Sequence, residues 1–133
     1  MREILFRGKR TINGDWVYGD FVHGNERKSL RDSIFVYDSE TQSFNDYEIN
    51  PSTLGQYTGL KDNNGKRIFE GDIAKVLQGK DKDIAYVGFE NGAFMLYPKT
   101  GNIYERTLWS YWYNDWDVEV IGNVHDNPDL LEK

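Results

Sequence analysis

The chain has no cysteine, two histidines and three prolines in 133 residues. Without cysteine there is no disulfide, no thiolate metal site and no cysteine nucleophile. No run approaches the roughly 18 consecutive apolar residues of a membrane helix. The opening MREILFRGKR lacks an apolar core of the signal-peptide kind. The reading is therefore a soluble protein of the cytoplasm. Long helical periodicity is missing as well. So are G-x-S-x-G, the Walker sequence, G-x-G-x-x-G and H-E-x-x-H. Around His125 and across Lys61–Glu70 the acids miss the spacing of a calcium loop. No catalytic constellation, metal or cofactor is expected, and the chain is read as a non-enzyme.

What is present is turn chemistry and aromatic residues. Asn-Gly occurs at 13–14, 64–65 and 91–92. Each is flanked by apolar or alternating residues, the signature of a hairpin with a type I′ turn. Ile4–Lys9 is expected to pair with Trp16–Val22, and Asp83–Glu90 with Ala93–Pro98. Gly19-Asp20 and Gly71-Asp72 follow the first two Asn-Gly pairs at similar spacing. The two segments therefore echo one another, and the turn set is Asn13, Gly14, Gly19, Asp20, Asn64, Gly65, Gly71 and Asp72. Gly permits positive φ, and an Asp side chain accepts backbone N–H groups at a bend. Asp20 and Asp72 are read as turn locks, and Ile68, Phe69, Ile73 and Val76 as core. Asn50-Pro51-Ser52-Thr53 marks a boundary, because the residue before proline avoids helix. This divides the chain into a β-rich part over 1–53 and a second part over 54–133.

Aromatic residues make up 15% of the chain and suit half-buried pleated surfaces. They are densest in YERTLWSYWYNDW, residues 104–116. There Leu108, Tyr111 and Trp112 fall at helical spacing, which predicts a short helix within 105–113. The rings either close the fold or present a docking face. Trp109, Tyr111, Trp112, Tyr113 and Trp116 form the candidate binding surface. Asn127-Pro128-Asp129 reads as the start of a last helical turn.

Charge is acidic overall, 22 acids against 16 bases, net −6. That disfavours non-specific nucleic-acid binding. The bases gather at the start: residues 1–10 hold four bases and one acid, while 105–133 hold seven acids and two bases. A candidate basic strip comprises Arg2, Arg7, Lys9, Arg10, Arg27, Lys28 and Arg31. Charge segregation and open strand edges lead to an expectation of a homo-oligomer.

Three blocks in order carry a resemblance: REILFRGKRTINGDWVYGDFV, GQYTGLKDNNGKRIFEGDIAKV and VEVIGNVHDNPDLLE. Together they resemble the YopX family, small proteins encoded by phages and prophages of Gram-positive bacteria. The resemblance implies a mainly β fold with an SH3-like β-barrel after a β-rich N-terminal part. It implies no activity and carries no catalytic residues. The expectation is a phage or prophage protein that docks a protein partner of phage or host. The alternative is a nucleic-acid-binding accessory protein in phage replication or regulation. No membrane partner is expected.

Overall fold

The structure is a computed structural model. It describes residues 2–25, 31–114 and 116–132, with Trp112 and Tyr113 described by their backbone alone. The chain is mainly antiparallel β and divides into two compact units, 1–57 and 58–133.

In the first unit, β1 (Phe6–Lys9), β2 (Trp16–Val22), β3 (Ser33–Asp38) and β4 (Ser43–Glu48) follow in chain order, then a 3-10 turn at Pro51–Thr53. The sheet runs β4-β3-β2-β1, with the start of β5 (Gly55–Lys61) on the far side of β1. The first predicted hairpin is present, with Lys9 opposite Trp16 and Phe6 opposite Gly19. One expectation fails here. Gly19 and Asp20 form no turn; both lie inside β2, and Asp20 pairs with Phe35. The glycine answers crowding instead, because a Cβ at Gly19 would stand 2.2 Å from the Phe35 carbonyl oxygen. Gly8 has a similar reason, with the Ile49 side chain 2.6 Å from its would-be Cβ. Ile34 and Ile49, exposed by 0% and 1%, are the buried apolar side chains packed on these glycines. Past β4 the backbone is held from two sides. Ile49 N–H donates to Asp32 O at 3.0 Å, and Asn50 N–H donates to Lys9 O at 2.9 Å. Arg10 and Ile49 thus form a bridge that curls this end of the sheet back on β1.

In the second unit the end of β5 turns back as β6 (Arg67–Phe69). Then come β7 (Asp72–Gln78), β8 (Asp81–Glu90), β9 (Ala93–Pro98), β10 (Arg106–Thr107), α1 (Leu108–Tyr113), β11 (Asp117–Asn123) and a 3-10 turn at Pro128–Leu131. A sheet runs β10-β9-β8-β7-β11. Among the described residues no ladder closes it into the expected barrel. One face of these strands carries Ala74, Val76, Ala85, Val87, Leu96, Val118 and Val120. These pack with Ile68, Ile103, Leu108 and Tyr111 into one core.

Of the three Asn-Gly pairs only 91–92 has positive φ at both residues, 52° and 81°, as a type I′ turn requires. It joins β8 to β9 in the predicted register. At 13–14 and 64–65 the glycine alone has positive φ, and a side chain forms the turn. Asn13 Oδ1 accepts from Asp15 N–H, and Asp62 Oδ1 accepts from Asn64 and Lys66 N–H at 2.9 and 2.8 Å. Gly71, φ 88°, makes the bend before β7, and Asp72 accepts from Phe69 N–H at 2.8 Å. At the C-terminal end Asn127 does not cap the last turn; its Oδ1 accepts from Asn123 N–H, behind the turn.

Asp62 also reaches across the unit. Its Oδ2 accepts from Val120 N–H at 2.9 Å, and the neighbouring Asn63 Oδ1 accepts from Val118 N–H at 2.6 Å. Asn63 N–H donates to Val118 O at 3.0 Å. Asp62→Ala leaves a buried β11 N–H without its acceptor and unties the turn. It is expected to lower stability by about 2–4 kcal/mol, read as a fall in the urea midpoint, with Asp62→Asn losing less. Exposed Asp46→Ala is the control and moves the midpoint little.

Candidate functional site

A cleft lies beside the Asp62–Asn63 link in the second unit. Leu60 and Lys61 come from the end of β5, Ile68 from β6, Leu108 from α1, and Val118 from β11; Trp116 just precedes β11. With Asp62 and Asn63 they line about 290 Å³. Ile68, Leu108 and Val118 are buried and form the floor. Trp116 is half-buried and meets Tyr111 edge-on, ring centroids 4.7 Å apart at 71°. The Arg106 guanidinium lies 5.2 Å from the Trp116 ring centre and braces it. Both Asp62 oxygens are occupied by backbone N–H groups. The cleft thus has a small apolar floor within a largely polar lining. Among the described residues no three His, Cys, Asp or Glu side chains gather as a metal site.

The predicted aromatic surface separates. Tyr111 is 1% exposed and belongs to the core, which removes it from any docking face. Its hydroxyl donates to Tyr104 O at 2.6 Å. The physical reason is helix phase: Leu108 and Tyr111, three apart, share the inward face of α1, while Trp109 turns outward at 56% exposure. Trp116 walls the cleft. The side chains of Trp112 and Tyr113 lie outside the described residues.

The basic strip is not a free row of charges. Arg7 is buried at 5% exposure, its guanidinium 4.7 Å from the Trp16 ring centre. Lys9 Nζ stands 5.6 Å from the same ring, and Arg10 lies 4.6 Å from Tyr47. Arg31 Nε is 3.7 Å from Glu48. Arg2 is exposed, and Arg27 and Lys28 lie outside the described residues. Alternation explains Arg7: it shares a sheet face with Trp16 and Tyr18, so its stem is covered.

Two features escaped the sequence reading. His23 Nδ1 approaches Asp32 Oδ1 at 3.0 Å, a pair set by the β2–β3 connection and unmarked by any motif. Asp83 is buried and organises residues 100–102, accepting from Thr100 N–H and Oγ1 and from Asn102 N–H. Burial raises its carboxyl pKa. The Thr100 hydroxyl and the backbone N–H groups of Thr100, Ile84 and Asn102 outweigh that and hold it below the ordinary 3.8.

The family profile described as YopX protein matches residues 5–132. The chain belongs to the YopX family. This YopX-family chain is similar to protein EF1440 from Enterococcus faecalis, known from a crystal structure. The TM-score is 0.60 over 99% of this chain and 100% of that one, at 22% identity. At that identity the likeness is one of fold. It is also 37% identical over 78 residues to a 2,3-bisphosphoglycerate-independent phosphoglycerate mutase of Roseobacter denitrificans. The stretch is 57% of this chain and only 15% of the mutase.

Two phenols titrate late. Burial, with Asp83 assisting and Arg106 opposing, pushes Tyr111 up from 10.0 to about 12. The hydrogen bond to Glu90, with Glu90 and Glu105 charge behind it, pushes Tyr97 to about 12. Between pH 10 and 12 the unfolded chain releases these protons while the folded chain keeps them, so stability falls as pH rises through that window. An ultraviolet pH titration of the tyrosinate band should show a phase near pH 12 that shrinks in Tyr111→Phe and again in Tyr97→Phe.

Proposed function

We propose that this YopX-family chain is a non-enzymatic protein-interaction module whose second unit docks a short peptide segment of a partner protein in the cleft beside Trp116. The observation that carries the reading is the cleft itself, with its apolar floor, ring wall and a carboxylate already spent on backbone N–H groups. Its volume, about 290 Å³, lies at the lower limit of the roughly 300–1,000 Å³ that hold a drug-sized ligand or cofactor. One or two large apolar side chains fit there, as anchors do at protein interfaces. Exposed Trp109, on the outward face of α1, adds a second ring for the same partner.

We read the second unit as SH3-like in this sense. Asp62 and Asn63 bond to β11 where a barrel would carry a strand ladder. The setting is a phage or prophage protein at work in the host cytoplasm. Self-association belongs to the same reading, because β4 stands at the edge of its sheet. Light scattering should then give at least twice the monomer mass.

The alternative of nucleic-acid binding along the N-terminal strip draws less support. Arg7 is buried there, and Lys9 and Arg10 lie against rings. Peptide display on the intact chain tests the main reading. Enriched peptides should share a large apolar anchor, and Leu60→Asp should weaken them at least about tenfold while circular dichroism stays native. A selection without enrichment, or peptides that bind Leu60→Asp equally well, would overturn it.

A further inference from the structure

The outward face of the second unit's sheet carries a separate arrangement. Ala74, Val76, Ala85, Val87 and Leu96 point to the core. Alternation therefore sends Lys75, Lys82, Ile84, Tyr86 and Tyr97 the other way. Register sets them in rows. Lys75 lies opposite Ile84, and Lys99 N–H donates to Ile84 O at 2.7 Å, so Lys75, Ile84 and Lys99 stand abreast. One row along, about 7 Å away, Tyr86 stands opposite Tyr97. One row in the other direction, Lys82 stands opposite Leu77.

The two rings are stacked, centroids 5.0 Å apart at 29°. Tyr97 is pinned: it lies over Gly88, where a Cβ would come within 2.6 Å of the ring, and its hydroxyl donates to Glu90 at 2.6 Å. Tyr86, 39% exposed, is the ring offered to solvent. The lysines border a hollow of about 380 Å³.

Charged groups of both signs surround this hollow. Among the described residues neither Lys75 nor Lys82 takes part in an ion pair, and Lys99 Nζ donates to Leu130 O at 3.3 Å. The Asp83 carboxylate in the lining is taken up by Ile84, Thr100 and Asn102. Two β11 acids share these rows: Glu119 stands opposite Lys75, and Asp117 opposite Leu77, beyond which lies Lys82. Three ammonium groups around one apolar side chain, next to a pinned ring stack, match a ligand with phosphates and a flat base. A duplex hides the faces of its bases, whereas a single strand offers them.

We propose that this face binds a single-stranded nucleic-acid segment, one base lying on Tyr86 and the adjoining phosphates on Lys75, Lys82 and Lys99. The site is on a different strand set from the Leu60 cleft, so Leu60→Asp leaves it intact.

Fluorescence anisotropy with labelled oligodeoxynucleotides of about eight nucleotides, a few per base-stacking module, tests it across a salt series. Three phosphate contacts on a single strand give a slope of log K against log salt of about −2. Lys75→Gln/Lys82→Gln should flatten it to about −0.7. Tyr86→Ala should weaken binding about tenfold or more without changing the slope, and Tyr86→Phe should restore it. These substitutions are at exposed positions, and thermal unfolding checks that each variant keeps its fold. The proposal is overturned if no binding occurs at the lowest salt, or if the lysine double variant binds like the parent. It is equally overturned if a free nucleoside monophosphate competes as well as the oligonucleotide, or if duplex binds as tightly as single strand.

Discussion

A buried carboxylate in a tight turn organises the second unit. Val118 and Val120 of β11 stand opposite Val76 and Ala74 of β7, and their N–H groups find acceptors outside that ladder. The side chains of Asn63 and Asp62 accept them. The same Asp62 carboxylate binds the N–H groups of Asn64 and Lys66 and so shapes the turn that carries it. Leaving a buried donor without an acceptor costs about 1–3 kcal/mol, so the turn and β11 stand or fall together. The Leu60–Trp116 cleft lies beside this link, and its walls include the segments the link ties together.

The first unit meets a different constraint, the close approach of backbones and side chains. Gly8 makes room for Ile49 and Gly19 for the Phe35 carbonyl. The bridge from Arg10 to Ile49 follows from that packing. It also explains the fate of the N-terminal bases. Strand alternation puts Arg7 and Lys9 on the same face as Trp16, and cation–π contact replaces exposure to solvent. A cluster of bases in the sequence is thus spent on aromatic faces within the unit.

Several parts of this were legible in the residues alone. The mainly β class, the hairpin around Asn91-Gly92, the short helix after residue 105 and the buried Ile68, Phe69, Ile73 and Val76 rest on local periodicity and turn preference. Local rules misled at Gly19-Asp20, because glycine serves turns and close packing alike and only the neighbouring strand tells which. They also lumped together rings that the helix separates, Tyr111 inward and Trp109 outward.

Short-range chemistry was thus written in the chain: where it bends, where it alternates, and which three blocks mark it as YopX-like. Partners far apart in sequence were decided by the tertiary structure. Asp62 meets Val120 across 58 positions, and Lys75 reaches Lys99 through the register of three strands. The physical reason is that the donors a carboxylate meets and a lysine's neighbours are set by strand register. Register depends on how the whole apolar face packs, and no short window of residues contains it.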